Sequence, residues 1–259
     1  MGNEINSKLN QLLLNWPAGT VYTSTGFVSQ GYNYDLINKY KQNKWISQIG
    51  QGSYIRYGTK AEWTGGLYAI QTQLKLNIHA GGKTALYLKG YAQFISQKKY
   101  PVFLFGSRGV KLPSWFKKHN WGVPVSLTTT NLFPYDLNKG FSKHDEQNFS
   151  ITISSPERAM MEMLYHVPKK VSFKEAFLIM ENLTSLRHTF VNELLAACSS
   201  IKVKRLFLFM AEKHNYPWFN NLNISDIYLG KGKRIVEKNG ILDKKYLITV
   251  PKDTIEIIQ

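Results

Sequence analysis

The sequence of 259 residues has a single cysteine, Cys198, so no disulfide can form within the chain. Its longest uninterrupted apolar run, residues 206–211, is far shorter than the roughly 20 residues that a membrane-spanning helix needs. The first residues are polar and do not include the apolar segment of a signal peptide. Sequence repeats, coiled-coil heptads and low-complexity tracts are also lacking. We therefore expect a cytoplasmic protein with no membrane partner.

Acidic residues are scarce as well: 17 of them face 33 Lys and Arg, which gives a net charge of +16. Such an excess indicates a polyanionic partner, with nucleic acid as the first candidate and an anionic membrane surface as the second. Residues 1–76 carry a net charge of +4 and the remainder +12. The second part of the chain therefore either adds phosphate contacts or has a partner of its own.

Residues 20–56 have the pattern of a winged helix-turn-helix, a DNA-binding arrangement of short helices followed by a hairpin. A first helix over residues 7–16 is predicted by its spaced leucines. Thr23, Ser24 or Thr25 can cap a second helix that carries Phe27 and Val28 inward. Gly31 supplies the turn to a third helix over residues 33–43.

The third helix has apolar Leu36, Ile37 and Tyr40 on one face, which predicts that polar residues meet DNA from the other. Trp45 and Ile46 should anchor a wing made of strands 46–49 and 53–57, joined by the glycine-rich turn 50–52. The expected base contacts are Asn33, Tyr34, Asn38 and Gln42. The expected phosphate contacts are Thr23, Ser24, Lys39, Lys41, Lys44, Ser53 and Arg56.

The fold class expected is α+β: a winged helix-turn-helix domain over residues 1–76 and a larger mixed α/β domain over residues 77–259. A linking helix over residues 62–76 completes the first domain, and Gly65 and Gly66 weaken its first turn, which predicts a hinge. Helices are predicted at 85–94, from 155 to 168, and at 172–183, 189–198 and 202–214. Strands are predicted at 101–106, 123–127, 149–153, 224–229, 234–236 and 246–250.

Catalytic patterns are weak. The Gly-Gly-Lys-Thr stretch at 81–84 resembles a phosphate-binding loop, but Asn77 occupies the position of its first glycine, so we expect a helix start. The histidines do not have metal-ligand spacing, and residues 144–146 are interpreted as a surface loop. Cys198 follows apolar residues and is predicted to be a buried small side chain. We expect no metal and no cofactor.

Two charged segments leave alternatives open. Asp243 and Lys245 follow the order found in many metal-dependent nucleases, with Asp226 as the nearest second acid. A nuclease-like second domain delivered to DNA by the winged helix is therefore the alternative to a non-enzymatic binder. Lys231, Lys233 and Arg234 form the densest basic cluster, which is either a solvated turn or a contact for an anion. The charge of the second domain also leaves an RNA-binding role open.

Longer stretches are similar to one known family. They are "LLLNWPAGTVYTSTGFVSQGYNYDLINKYKQNKWISQIGQGSYIR", "WTGGLYAIQTQL", "HAGGKTALYLKG", the Leu-Pro-Ser-Trp-Phe at 112–116, the Ser-Pro-Glu-Arg-Ala at 155–159 and "YPWFNNLNISDIYLGKGKRIVEKNG". Across nearly its whole length the chain resembles the AbiEi family, antitoxins and transcriptional regulators of bacterial abortive-infection (type IV) toxin–antitoxin operons that act in phage defence.

The resemblance implies that the first domain binds inverted repeats in the promoter of its own operon and represses it. It implies that the second domain counteracts a nucleotidyltransferase-like toxin that disables tRNA, without a stable complex in much of the family. The reading helix of the family corresponds to residues 33–43 and its wing to residues 46–57. An RNA-binding role of the second domain would then shield tRNA from the toxin.

Overall fold

The computed structural model describes residues 2–92, 100–134 and 136–252. Its first module has the order of a winged helix, and its sheet has the strand order β1-β3-β2 with antiparallel pairs. The elements are α1 (Gly2–Asn15), β1 (Tyr22–Thr23), α2 (Ser24–Ser29), α3 (Tyr34–Gln42), β2 (Ile46–Gly50) and β3 (Ser53–Arg56). The two helices and the hairpin predicted after residue 20 are confirmed, whereas α1 begins five residues earlier than predicted.

Local sequence explains where α2 and α3 begin. The hydroxyl of Thr23 accepts a hydrogen bond from the N–H of Gly26 at 3.0 Å, and the side chain of Asn33 accepts one from the N–H of Leu36 at 2.9 Å. Each bond satisfies an N–H group that has no partner within its helix. Gly31 lies between the helices with a φ of +80°, a conformation that a residue with a Cβ adopts rarely.

The first module has its own aromatic core. Phe27 lies at its centre, in ring contact with Trp16, Tyr22, Tyr32 and Tyr54. Two expectations about the core are wrong, because Val28 and Trp45 are 48% and 46% exposed. Val28 is turned about 100° around α2 from buried Phe27, and Trp45 precedes Ile46, which takes the inward position of the strand.

The second module contains a five-stranded mixed sheet of order β6-β5-β4-β8-β7 and a small sheet of order β10-β11-β9. Its elements to the end of the large sheet are α4 (Trp63–Thr72), β4 (Ile78–Ala80), α5 (Gly82–Leu88), β5 (Val102–Gly106), α6 (Ser114–Lys118), β6 (Val125–Thr129), β7 (Phe141–Asp145) and β8 (Ser150–Ser154). The rest are α7 (Pro156–His166), α8 (Phe173–Glu181), α9 (His188–Ala197), α10 (Ile201–Lys213), β9 (Arg234–Ile235), β10 (Ile241–Asp243) and β11 (Ile248–Val250). The α+β class is confirmed.

Several local expectations in this module are corrected. The predicted loop at 144–146 is wrong for residues 144 and 145, which belong to β7; as the edge strand of its sheet, β7 keeps polar side chains at its surface. The strand predicted at 224–229 is wrong because Ile224–Asp226 forms a 3-10 turn, in which Ser225 bonds to Asn223 and Asp226. Helix α5 (Gly82–Leu88) begins three residues before the helix predicted at 85–94 and ends at residue 88. Residues 93–94 of the predicted helix lie outside the described residues.

Helix α4 packs with the second module. Leu67 and Ile70 belong to the same hydrophobic cluster as the β-sheet residues Ile78 and Ile153. Helix α4 thus shares the hydrophobic core of the second module.

The hinge expected at Gly65 and Gly66 is wrong, because both glycines sit at close contacts. A Cβ on Gly65 would lie 2.0 Å from the carbonyl oxygen of Gly19, and one on Gly66 would lie 2.7 Å from the ring of Trp121. The N–H of Val21 also donates to the carbonyl of Gly65 at 3.2 Å. The absence of side chains here permits tight packing between the two modules.

Candidate nucleic-acid interface

Helix α3 buries one face and exposes the other. Ile37 and Tyr40 are almost completely buried, whereas Tyr34 is 62% exposed. The polar residues expected to meet DNA are all exposed: Asn33, Asn38, Lys39, Lys41, Gln42 and, just after the helix, Lys44. The structure thus brings the four expected base contacts and three of the expected phosphate contacts together on one short segment.

Asn33 has a structural task as well. Its side-chain oxygen caps α3 by accepting the N–H of Leu36. The cap uses one of the two lone pairs of this oxygen and fixes the direction of the amide, which weakens Asn33 as a paired donor–acceptor contact to adenine. Among the four expected base contacts, Asn38 and Gln42 retain both functions of their amides.

The exposed face of α3 continues onto the wing through side-chain bonds. The ammonium of Lys41 donates to the side-chain oxygen of Gln48 on β2 at 3.3 Å. The side-chain nitrogen of Gln48 in turn donates to the carbonyl of Gly50 at 3.2 Å. Ser24, at the start of α2, donates its N–H to the carbonyl of Gly52 in the wing turn at 2.8 Å. Helix and wing therefore form one continuous polar surface.

Three of the expected phosphate contacts are corrected because their side chains are turned inward. Thr23 and Ser53 are 2% and 0% exposed, and the Thr23 hydroxyl is held between the N–H of Gly26 and the side chain of Gln73. The guanidinium of Arg56 donates to the carbonyls of Leu13 and Trp16 near the end of α1. The last carbonyls of a helix lack partners within the helix, and a cation suits that end of its dipole. Ser24 is half-buried beside the wing turn and keeps its candidate role.

The basic cluster of the second module lies on a loop held by a buried arginine. The Arg205 guanidinium, 2% exposed, donates to the carbonyls of Leu229, Gly230, Gly232 and Leu247 at 2.6–3.2 Å. Lys231 and Lys233 on this loop are exposed.

Arg234, the third member of the cluster, forms hydrogen bonds within its own turn. Its guanidinium donates to the carbonyls of Lys231 and Lys233 within its own turn, which weakens its candidacy as an anion contact. In the sequence, the only hint of an anchoring arginine under this loop is the position of Arg205 directly before the apolar run.

A buried charge cluster lies under the large sheet. Glu162 accepts hydrogen bonds from His79 at 2.9 Å, Arg158 at 3.0 Å, Ser154 at 2.7 Å and the N–H of Gly82 at 3.1 Å. Its burial alone would raise the pKa of the carboxyl. The charge and hydrogen bonds of His79, together with those of Arg158 and Ser154, lower that pKa to about 2. The cluster therefore holds an ionised carboxylate in the interior.

A cavity of about 250 Å³ opens beside this cluster. Its wall includes His79, Arg158 and Glu162. Arg158 lies between the rings of Phe133 and Phe141, with its guanidinium carbon 4.7 Å and 4.3 Å from the ring centres. Because all the acceptor positions of the Glu162 carboxylate are used by these donors, the arrangement is that of a packed ion network rather than of a free acid or base.

Two family models match consecutive parts of the chain. The first, described as the N-terminal domain of the AbiEi antitoxin, a transcriptional regulator, matches residues 5–97. The second, described as a transcriptional regulator, the AbiEi antitoxin of a type IV toxin–antitoxin system, matches residues 99–251. The chain belongs to the AbiEi antitoxin family. The resemblance inferred from the sequence is thereby confirmed.

The fold of this AbiEi chain is similar to a solved one. The crystal structure of the RV2827C protein from Mycobacterium tuberculosis matches with a TM-score of 0.59 at 12% identity, over 93% of this chain and 89% of that one. At this identity the likeness concerns the fold alone. No curated protein matches the chain. Within the described residues, no helix is long and apolar enough to cross a membrane.

The residues of the nuclease alternative have separate partners in this AbiEi chain. Asp226 bonds to Asn223, Asp243 accepts the N–H of Tyr246 at 2.7 Å, and Lys245 pairs with Glu212. Over residues 2–92, 100–134 and 136–252, no group of three or more His, Cys, Asp or Glu side chains is placed to hold a metal ion.

The stretch resembling a phosphate-binding loop is occupied by internal contacts. Lys83 is buried and pairs with Glu175, and the Thr84 hydroxyl accepts the N–H of Phe103 at 2.8 Å. As expected, these residues belong to the start of α5. Cys198 is buried, as predicted, and burial raises the pKa of its thiol to about 11. A thiol with so high a pKa is a poor nucleophile.

Proposed function

We propose that this AbiEi-family chain binds inverted repeats in the promoter of its own operon through α3 and the wing, and thereby represses the operon. Its second module counteracts a nucleotidyltransferase-like toxin in the cytoplasm. The proposal assigns no catalytic step, cofactor or metal to the chain. The observation that carries it is the exposed polar face of α3, which continues onto the wing through Lys41 and Gln48.

The chemistry of this surface suits duplex DNA. Amide side chains such as those of Asn38 and Gln42 can bond in pairs to the edge of adenine in the major groove. Ammonium groups at Lys39, Lys41 and Lys44 can neutralise phosphates on the flanking backbone, and the Tyr34 hydroxyl can reach either a base or the backbone. The direct test is a mobility shift with the DNA upstream of the operon and with shuffled DNA of equal length. Equal affinity for both would contradict operator recognition.

Lys41→Ala tests the assignment of phosphate contacts. We expect it to weaken binding to operator and shuffled DNA alike, because a phosphate contact carries no sequence information. The slope of log K against log[salt] should become shallower by about one unit. Lys238→Ala, which removes an exposed lysine from the turn before β10, is the matched control and should leave the slope unchanged. A wild-type slope for Lys41→Ala would refute this contact.

Asn38→Ala tests base reading. We expect it to cost about 1–3 kcal/mol of binding free energy on the operator, because a paired amide contact to one base is lost. The loss should disappear when that base pair is replaced, and binding to shuffled DNA should change little. Titrations on single-base operator variants would measure this. An equal loss on every sequence would count against base reading by Asn38.

The antitoxin part of the proposal needs the toxin. Co-expression of the chain with the neighbouring toxin gene should restore growth, and co-purification shows whether a stable complex forms. A chain that neutralises without co-purifying would match the mode implied for much of the family. Incubation of the purified chain with DNA and tRNA, with and without Mg²⁺, tests the absence of a catalytic step, since cleavage would favour the nuclease alternative. Binding of tRNA by the chain alone would instead favour shielding.

A further inference from the structure

Helix α6 of the second module packs directly against the wing. A Cβ on Gly50, the last residue of β2, would lie 2.7 Å from the Cβ of Trp115 and 3.1 Å from its Cα. This distance is shorter than real Cβ contacts allow, so only a glycine permits the approach. Trp115 is 6% exposed in this position. The second module therefore reaches the end of the strand that leads into the wing turn.

The turns of α6 decide which of its side chains lie near the wing. Trp115 and Phe116 point inward, and Lys117 and Lys118 are exposed. Lys118 follows Trp115 by three residues and lies on nearly the same side of the helix. Lys117 follows by two residues and is rotated about 200° from Trp115. Of the two lysines, Lys118 thus borders the wing and Lys117 faces away from it.

A chain of contacts connects the exposed face of α3 with α6, the helix that carries this lysine. Lys41 bonds to Gln48, Gln48 bonds to the carbonyl of Gly50, and Gly50 touches Trp115. Helix α6 therefore lies beside the surface that is expected to meet DNA. Among the described residues, the Lys118 ammonium forms no ion pair with an acidic group, so it is available to an anion.

We propose that Lys118 binds a backbone phosphate of DNA on the flank contacted by the wing, so that the second module forms part of the DNA-binding surface. This inference rests on the proposed function and extends it to a module that the winged-helix pattern does not include. It assigns a role in DNA binding to part of the net charge of +12 that lies outside the first 76 residues.

The test uses the full chain and the variants Lys118→Ala and Lys117→Ala, which differ by one position on the same helix. We measure affinity for operator and shuffled DNA over a series of KCl concentrations. Lys118→Ala should weaken binding to both DNAs and make the salt slope shallower by about one unit, whereas Lys117→Ala should keep the wild-type slope. Lys118→Arg should restore the slope, because it keeps the charge.

The outcomes separate this inference from the proposed function. If the wild-type chain does not bind the upstream DNA, the proposed function fails. If the wild type binds and Lys41→Ala weakens it while Lys118→Ala equals the wild type, only the role of Lys118 is overturned. Equal slope changes in Lys117→Ala and Lys118→Ala would also overturn it, because they would indicate a general charge effect. Thermal melting of each variant checks that the fold is retained.

Discussion

Replacing Glu162 with alanine is expected to lower the free energy of unfolding by about 3–5 kcal/mol. The carboxylate is completely enclosed and is the only acidic group in contact with both Arg158 and His79 among the described ion pairs. Removing it leaves the buried guanidinium of Arg158 without a counter-charge, and it leaves Ser154 and the N–H of Gly82 without an acceptor. An uncompensated buried charge costs far more than the pair contributes.

Two further variants provide the comparison for the loss expected in Glu162→Ala. Glu162→Gln keeps the shape but presents an amide N–H₂ group to side chains that are themselves donors, so most of the loss should remain. Glu193→Ala is the matched control, because it breaks the pair with Lys139, in which both side chains are at least half-exposed. Such surface pairs contribute about 0–1 kcal/mol. Urea denaturation of the three variants would contradict the prediction if Glu162→Ala lost no more than the control.

The same carboxyl predicts a dependence of stability on pH. Its pKa is about 2 in the folded chain, against an ordinary value of 4.5. Because the folded value is the lower one, the stabilisation is complete above the ordinary pKa and is lost as the pH falls through 4.5 toward 2. The difference in unfolding free energy between wild type and Glu162→Gln should therefore shrink as the pH falls from 4.5 toward 2. A difference that stayed constant down to about pH 3 would contradict the charged state of this cluster.

The features of the winged helix that could be predicted from the sequence are those determined by residues close together along the chain. Thr23 and Asn33 cap helices that start one residue later, and Gly31 makes the turn between them. The apolar spacing of Ile37 and Tyr40 then determines which face of α3 is exposed. Caps, turns and helical periodicity act over a few residues, so a sequence pattern can carry them.

The predictions that were wrong, and the contacts that were not predicted, depend on residues far apart in the sequence. Whether Thr23 and Arg56 are free to bind phosphate depends on Gln73, 50 residues away, and on carbonyls 40 residues or more away. The packing of α6 on the wing depends on the close contact between Gly50 and Trp115, which no local sequence pattern predicts. Two partners of Glu162, Ser154 and Arg158, lie close to it along the chain, but His79 and Gly82 come from some 80 positions earlier. Tertiary contacts of this kind decide which polar groups are already satisfied.

Replacing Arg205 with alanine is expected to cost about 3 kcal/mol or more, because it removes the donors that satisfy three carbonyl groups of the basic loop and that of Leu247, just before β11. Each buried carbonyl left without a partner costs about 1–3 kcal/mol, and the loop can recover part of this only by opening to water. Arg205→Lys keeps the charge but has a single nitrogen in place of the planar fork, so it should lose most of these bonds.

Arg234→Ala is the matched control for Arg205, because it removes the same type of side chain from the same loop. Among the described residues its guanidinium bonds to the carbonyls of its own turn alone, and it is half-buried, so the expected change is within about 0.5 kcal/mol. Urea denaturation gives the free energies, and hydrogen exchange of residues 229–234 shows whether the loop has opened. Equal losses in the two variants would mean that the loop is held by other contacts.

The Arg205 variants also decide what the basic loop does. If Lys231 and Lys233 are solvated residues of a structural turn, opening the loop should leave DNA affinity unchanged at temperatures where the variant remains folded. If they contact a polyanion, the opened loop should bind with lower affinity and a shallower salt slope, because the two charges no longer have fixed positions. We expect the first result for operator DNA, since the small sheet beside this loop packs on α10. A loss of operator affinity in Arg205→Lys would extend the DNA-binding surface to this loop.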